Sequence, residues 1–256
     1  MIEVKGLSCA INGTPVLDDI SISMNDGEIL GIIGASGSGK TVLLKALAGR
    51  LAGCRGTVLI NGGPLPRRRS RSCAIVSYYG SAVPHNPDER LDDFLLLART
   101  PFKRIFRPFT DYDRQIAEKY LEILGLKQLK DASIGSLSDS AFRRALLAHT
   151  FIREAHAVLL DNPTNDLDIA SIKLLKKALA RYVVNGSRIA VVCSGDLNFI
   201  SMAADRILIM EGGRIAETGF VDILSSDTIK RYFGIDVMIS RNIYNGKPEI
   251  HLFPVT

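Results

Sequence analysis

The segment GASGSGKT at positions 34–41 has the residue types and spacing of a loop that binds phosphate groups. It fits the pattern G-x-x-x-x-G-K-[ST], in which glycines let the backbone curl so that consecutive N–H groups face phosphate oxygens. Lys40 would reach the β- and γ-phosphates as a positive charge, and the Thr41 hydroxyl could ligate Mg²⁺. The residues expected to contact a nucleotide here are Gly34, Ala35, Ser36, Gly37, Ser38, Gly39, Lys40 and Thr41.

A second candidate for metal chemistry is Asp161, which directly follows the apolar run AVLL. A carboxylate at the end of a buried strand can hold Mg²⁺, directly or through water; the alternative is an ordinary turn or helix-capping aspartate. The next residue is Asn162, where a glutamate would have supplied a base for activating water. An amide can orient water but cannot accept its proton.

The elements around the loop have the order that phosphate binding requires. The apolar run ILGII (29–33) is typical of a central parallel strand, and residues 41–48 have helical periodicity that ends at Gly49. A strand before the loop and a helix after it put the positive end of the helix dipole at the phosphates.

The rest of the chain has segments with strand patterns and segments with helical patterns. Asn12-Gly13 predicts a hairpin between two N-terminal strands, and Gly212-Gly213 predicts another. From about 84 to 150 the pattern is helical, and beyond it strands and helices alternate again. We therefore predict a mixed α/β core that is interrupted by a helical insertion.

Composition excludes several classes of protein. The 256 residues are 46% hydrophobic, the net charge is +5, and no apolar stretch approaches the roughly 20 residues of a membrane span. The start of the sequence lacks signal-peptide order, so we expect a cytoplasmic protein. The basic run RRRSR (67–71) is expected to be a solvated loop, without nucleic-acid binding.

The chain has four cysteines, Cys9, Cys54, Cys73 and Cys193. We predict that they are reduced thiols and that they bind no zinc.

Together these motifs resemble the ATP-binding subunits of ABC transporters, over essentially the whole chain. SLSDSAFRRALLAHTFI (136–152) stands where the family carries LSGGQ and a helix, and VLLDNPTNDLD (158–168) stands at LLLDEPTNxLD. VVCSGDL and DRILIMEGGRIAETGF match the strand ending in S-H-D and the following hairpin. The resemblance implies a P-loop NTPase fold of ABC type in a single domain (1–256), with a mixed sheet core and an antiparallel β subdomain. It also implies a helical subdomain (about 84–150), a C-terminal extension (about 228–256), and ATP with Mg²⁺ as ligands.

Two segments are similar to one branch of the family, the importers of iron–siderophore chelates, haem and cobalamin. These are residues 97–126 and the tail 233–254, where a short strand pair and a G-x-P turn close the domain. The branch implies transmembrane permease subunits as separate chains and a second ATP-binding domain, in a homodimer or a heterodimer. It also implies a peripheral location on the inner face of the plasma membrane.

The sequence departs from the family at several functional positions. Where the family stacks adenine on an aromatic ring, this chain has Ile11, and the glutamine expected near Mg²⁺ is Tyr78 or Tyr79. Asn162 replaces the catalytic glutamate, and Gly195 replaces the histidine that senses the γ-phosphate. The signature segment has become Leu137, Ser138, Asp139, Ser140 and Ala141, and the D-loop that follows the aspartate strand is Asn165, Asp166, Leu167 and Asp168.

These departures predict ATP binding with little turnover. In the family, ATP lies between one phosphate loop and the partner's signature, so Asn162 weakens one site and the Asp139 carboxylate repels the phosphate of the other. Three hypotheses follow: an importer subunit with slow hydrolysis, a nucleotide-gated module that does not hydrolyse ATP, and a soluble ABC protein without a transport role.

Overall fold

The computed structural model describes residues 1–65, 75–80, 83–102, 107–184 and 186–253. The basic run at 67–71 and Cys73 lie outside these ranges, so the predictions made for them stay predictions. Within the ranges, no helix combines the length and the apolar content that crossing a bilayer demands.

The strands of the described residues form three sheets. In chain order they are β1 (Ile2–Ile11), β2 (Thr14–Met24), β3 (Ile29–Ile33), β4 (Cys54–Ile60), β5 (Gly63–Pro64), β6 (Val76–Tyr79), β7 (Ala157–Asp161), β8 (Ile189–Cys193), β9 (Arg206–Glu211), β10 (Arg214–Phe220), β11 (Val237–Arg241) and β12 (Pro248–Leu252). The sheet orders are β2-β1-β4-β5, β10-β9-β3-β8-β7-β6 and β11-β12.

Helices cover the faces of the larger sheet. In chain order they are α1 (Lys40–Leu47), α2 (Leu91–Leu97), α3 (Asp111–Ile123), α4 (Asp139–Phe151), α5 (Ile169–Val183), α6 (Leu197–Ala203) and α7 (Ser226–Phe233). Short 3₁₀ turns lie between several of them, including Ile134–Ser136 just before α4.

The six-stranded sheet is the centre of the fold. Strand β3 is completely buried and pairs in parallel with β8 and β9, while β6, β7 and β8 continue the parallel part of the sheet. The carboxyl ends of β3, β7 and β8 therefore meet at one edge, where the phosphate loop, Asp161 and Gly195 follow their strands. The predicted central strand and the predicted mixed α/β core are confirmed.

A separate antiparallel sheet packs beside this core. Its first hairpin turns through Asn12 (φ 51°) and Gly13 (φ 81°), the left-handed pair that a two-residue turn of type I′ requires. Both hairpins predicted from glycine-containing pairs are present, since β9 and β10 also turn through left-handed residues at Gly212 and Gly213.

The prediction of reduced cysteines was wrong for two of them. Cys9 of β1 and Cys54 of β4 are cross-strand partners with Cα atoms 4.2 Å apart, and their sulfurs form a disulfide. The residues are separated by 45 positions in sequence, so their contact depends on the pairing of β1 with β4, which spacing alone does not reveal. Cys193 is buried with a free thiol.

The helical insertion consists of α2, α3 and α4. The Tyr120 ring of α3 stacks on Phe151 of α4, with ring centroids 5.5 Å apart, and both residues are fully buried. Arg99 follows α2 and donates from Nε to Asp113 Oδ1 (2.8 Å) and from a terminal nitrogen to the Ile152 carbonyl (3.0 Å). This buried ion pair joins the three helices into one body.

His149 is a neutral core residue, and its burial makes the fold sensitive to acid. The ring stacks on Phe94 with centroids 4.9 Å apart. Burial, and then the charge of Arg153, lower the pKa of His149 from 6.5 to about 3. Because the unfolded chain takes up this proton at a higher pH than the folded chain, the stabilisation is present above pH 6.5 and lost as pH falls towards 3.

We therefore expect His149→Gln to make the free energy of unfolding less dependent on pH between these two values. The difference in slope from the wild type should approach about 1.4 kcal/mol per pH unit, the value for one proton. Urea titrations at a series of pH values measure it, and His251→Gln, at an exposed position, is the matched control. Equal slopes for His149→Gln and the wild type would contradict a neutral core imidazole.

Candidate functional site

The phosphate loop joins β3 to α1 in a conformation that depends on its glycines. Gly37 and Gly39 have φ values of 80° and 100°, in the left-handed region that residues with a Cβ rarely adopt. At Gly34 a Cβ would also lie 2.3 Å from the carbonyl oxygen of Met210 in β9, so the loop rests directly against the sheet. At these three positions the loop conformation therefore requires glycine, as the sequence predicts.

The beginning of α1 presents backbone donors to the loop. In the described part of the chain, the N–H groups of Lys40, Thr41 and Val42 donate to no protein acceptor, as expected for the first turn of a helix. These groups carry the positive end of the helix dipole. Anionic oxygens are therefore the complementary ligands for this end of the helix.

Lys40 lies across the loop that precedes it. Its ammonium donates to the carbonyl oxygens of Gly34 and Ala35, each at 2.8 Å, and to Ser38 Oγ at 3.3 Å. Burial lowers the pKa of Lys40, and the nearby Cys193 and Asp161 act in the opposite direction. The charge is thus held in the concave side of the loop, where the phosphates of a nucleotide would lie.

Asp161 and Thr41 meet at the edge of the sheet. The Thr41 hydroxyl donates to Asp161 Oδ1 at 3.0 Å, across 120 positions of sequence. In the described residues no group of three or more His, Cys, Asp or Glu side chains is gathered as metal ligands. One carboxylate and one hydroxyl beside a phosphate loop fit Mg²⁺, which keeps several waters and takes further oxygens from the phosphates.

Only one of the two tyrosines at the end of β6 contacts this carboxylate. The Tyr78 hydroxyl donates to Asp161 Oδ2 at 3.0 Å, while Tyr79 packs on the opposite face of the sheet and bonds to Arg143. Burial, and then the charge of Asp161, raise the pKa of Tyr78 far above its usual value, so its phenol stays protonated and donates. Of the two tyrosines, Tyr78 is therefore the one that contacts Asp161, and which of them takes the glutamine position stays a prediction.

Asn162 is fixed directly after Asp161 in a left-handed conformation with φ 46°. Its backbone N–H donates to the Cys193 carbonyl at 2.8 Å, and its side-chain amide lies 3.4 Å from Asp161 Oδ1. The position at which a catalytic base was expected therefore carries a hydrogen-bond donor. Opposite it, a Cβ at Gly195 would meet no atom within 4 Å, so that backbone has room for a side chain that the sequence lacks.

The signature segment forms the start of α4. The Ser138 hydroxyl caps the helix by accepting from the Ala141 N–H (3.3 Å), and the exposed Asp139 follows in the first turn. Ser140 Oγ donates to Asp168 Oδ2 at 2.8 Å, which ties the segment to the D-loop. In the described residues none of these hydrogen bonds reaches the phosphate loop of the same chain.

The D-loop connects the aspartate strand to α5. The Asn165 N–H donates to the Asn162 carbonyl (3.3 Å), Asp166 pairs with Arg143 (2.9 Å), and Asp168 caps α5. Leu167 packs partly buried against the larger core cluster. Ile11, expected at the base of the nucleotide, ends β1 with 39% of its surface exposed.

A groove of about 500 Å³ opens between this site and the helical insertion. It is lined by Tyr79, His85, Phe142, Arg143, Asn162 and Asp166. The Arg143–Asp166 pair spans it, so the groove is in direct contact with both the D-loop and α4. The sequence alone does not reveal this groove, because its walls come from β6, α4 and the loop after β7.

Comparison with known proteins agrees with this geometry. The ABC transporter family model matches residues 17–165, more than half of the chain. A cobalamin import ATP-binding protein of Halobacterium salinarum is 27% identical over 99% of this chain, which spans 64% of that relative's length. A hemin import ATP-binding protein of Pseudomonas putida is 29% identical over 98% of this chain and 99% of its own. The solved structure of an ATP-binding subunit of an ABC transporter superposes with a TM-score of 0.76 at 22% identity, covering 91% of this chain and 93% of that one. That likeness confirms the predicted fold class.

Proposed function

The chain belongs to the ABC transporter family, and from this premise we propose that it is the ATP-binding subunit of an importer, with slow ATP hydrolysis. It binds MgATP at the phosphate loop of residues 34–41. The observation that carries the proposal is the convergence of Lys40, Thr41 and Asp161 at one end of α1. These three side chains supply a positive charge for the phosphates of a nucleotide and two oxygen ligands for Mg²⁺.

Slow hydrolysis follows from the groups around the γ-phosphate. When bound, Mg²⁺ neutralises phosphate charge, but the proton of an attacking water still needs an acceptor. Asn162 Nδ2 is a donor directed at Asp161, and Gly195 has no side chain to contact the phosphate. Asp139 is exposed at the start of α4, where a partner domain would bring its own triphosphate.

The second candidate function is a nucleotide-gated module that holds its complex in one state without hydrolysing ATP. The same Asn162 geometry favours it, because the residue after Asp161 carries an amide, which cannot accept a proton from water, and both Asp161 oxygens already accept hydrogen bonds. The two candidates differ only in the rate of phosphate release.

The importer branch is proposed from sequence likeness. Two of the relatives are a cobalamin import and a hemin import ATP-binding protein, and residues 97–126 and 233–254 resemble that branch. The transported compound would then be an iron–siderophore chelate, haem or cobalamin. As in the branch, the chain would form a single ATP-binding domain (1–256), with a helical subdomain at about 84–150 and an extension at about 228–256.

The proposed partners are a second ATP-binding domain, identical or not, and separate transmembrane permease subunits. In the family the position taken by Tyr78 or Tyr79 touches the permease, and Tyr79 lines the groove beside Asn162. We propose this groove as the surface that receives the permease, because a contact there bears directly on the nucleotide site. The chain would then lie on the cytoplasmic face of the plasma membrane.

The test is a pair of measurements on the purified chain. Calorimetry with MgATP should show saturable binding, while a coupled phosphate assay should show release at least about 100-fold below ordinary family rates, the lower limit for loss of a general base. Binding without release in the presence of the permease would select the non-hydrolysing module. Absence of binding would overturn both candidates, and release at ordinary rates would refute the role given to Asn162.

A further inference from the structure

We propose that Tyr78 makes nucleotide binding at this site largely independent of Mg²⁺, by holding the Asp161 carboxylate that the metal would otherwise use. The proposal rests on the proposed function, since it concerns how the same site selects between metal-free and metal-bound nucleotide. Tyr78 is a positioning residue in this account: it acts on the ligand through Asp161.

Each oxygen of the Asp161 carboxylate accepts a hydrogen bond from a protein donor. Thr41 Oγ1 donates to Oδ1 and the Tyr78 hydroxyl donates to Oδ2, each at 3.0 Å. The Asn162 amide lies 3.4 Å from Oδ1. A hydrogen bond to a charged carboxylate is stronger than one between neutral groups. A water bound to the metal therefore reaches Asp161 only in competition with these protein donors.

The surroundings of Tyr78 hold its side chain in this position. Only 7% of its surface is exposed, and the guanidinium of Arg50 lies 4.6 Å above its ring. Gly80 follows with φ 128°, and a Cβ there would lie 3.0 Å from the Tyr78 hydroxyl and 2.8 Å from the Asp161 Cβ. The close approach of Tyr78 to Asp161 therefore depends on a glycine in a conformation that other residues rarely adopt.

Metal-free and metal-bound nucleotide depend on different groups of this site. A metal-free triphosphate uses Lys40 and the N–H groups of the first turn of α1, none of which contacts Tyr78. A hydrated Mg²⁺ ion needs an acceptor for its waters or an oxygen ligand from Asp161, and it must share this carboxylate with the phenol and the threonine. The metal thus adds less affinity here than it would beside a free carboxylate.

The experiment compares two neighbouring tyrosines, of which only Tyr78 donates a hydrogen bond to Asp161. Dissociation constants for a non-hydrolysable ATP analogue are measured with excess EDTA and with saturating Mg²⁺, in the wild type, Tyr78→Phe and Tyr79→Phe. We expect Tyr78→Phe to raise the advantage given by Mg²⁺ about tenfold, which corresponds to loss of one charge-assisted hydrogen bond. Tyr79→Phe, on the opposite face of β6, should behave like the wild type.

A spectroscopic measurement gives a second readout that does not depend on turnover. Electron paramagnetic resonance of Mn²⁺ with the same analogue should show tighter metal binding in Tyr78→Phe than in the wild type. If Tyr78→Phe does not fold, Tyr78→Leu serves the same comparison, since leucine also has no donor for Asp161. An unchanged Mg²⁺ advantage in the folded Tyr78 variant, or an equal gain in Tyr79→Phe, overturns the inference. A wild type that binds no nucleotide in either buffer overturns the proposed function itself.

Discussion

Replacing Lys40 with alanine is expected to abolish measurable nucleotide binding, with a loss of affinity of at least about 100-fold. The ammonium is the one side-chain charge that the described loop residues turn into the phosphate cradle, where it now donates to the carbonyls of Gly34 and Ala35. Each charge-assisted hydrogen bond to a phosphate oxygen is worth about 1.5–3 kcal/mol, and a lysine makes more than one. The weak adenine contact expected at Ile11 leaves little affinity to compensate for this loss.

Calorimetric titration with MgATP checks the result, and thermal melting establishes that the variant is folded. Lys45→Ala is the matched control, because Lys45 lies in the last turn of the same helix, away from the loop. We expect its affinity to equal that of the wild type. Retained affinity in Lys40→Ala would show that the glycine loop does not carry the binding.

Much of the fold was predictable because its strongest signals are local. The run ILGII, the loop after it and Gly49 together specify strand, turn and helix within about twenty residues. Strand β3 has the predicted bounds, and α1 (Lys40–Leu47) begins and ends one residue before the predicted helix at 41–48. Left-handed turns at Asn12-Gly13 and Gly212-Gly213 need only two adjacent residues. Such features are set by the chemistry of neighbouring residues and depend little on tertiary context.

The contacts that define the site were less predictable because they join distant segments. The Tyr78–Asp161 hydrogen bond spans 83 positions, and its existence depends on the parallel register in which Tyr78 is paired with Leu159 of β7. Sequence spacing left Tyr78 and Tyr79 equivalent, whereas alternation along β6 sends them to opposite faces of the sheet. The Cys9–Cys54 disulfide was missed for the same reason, since β1 pairs with β4 although two strands and a helix lie between them in the chain.

Asp139 illustrates how one residue can serve the fold and oppose the function. At the start of α4, next to the Ser138 cap, a carboxylate is favourable because it faces the positive end of the helix dipole. The same N–H groups are those that the family offers to the partner's γ-phosphate. A carboxylate about 5 Å from that phosphate costs roughly 3 kcal/mol per unit of phosphate charge at an effective dielectric constant near 20.

Combining Asn162→Glu with Asp139→Gly is therefore expected to raise phosphate release by about 100-fold or more, whereas Asn162→Glu alone should raise it only modestly. The glutamate supplies a proton acceptor, an effect of about 10²–10⁴ in rate. It acts fully only when the partner's signature no longer repels the triphosphate. In a homodimer each substitution would correct both sites at once, because each site takes one contribution from each copy.

A coupled phosphate assay on the single and double variants measures the effect, with nucleotide affinity determined in parallel. The φ value of 46° at residue 162 makes glutamate less favourable there than asparagine, by about 1 kcal/mol, so melting curves must accompany the rates. Asn162→Gln, which lengthens the side chain without adding a base, is the matched control and should stay at the wild-type rate. A full gain from Asn162→Glu alone would show that Asp139 does not limit the site. No gain in the folded double variant would mean that the missing base is not what makes this chain slow.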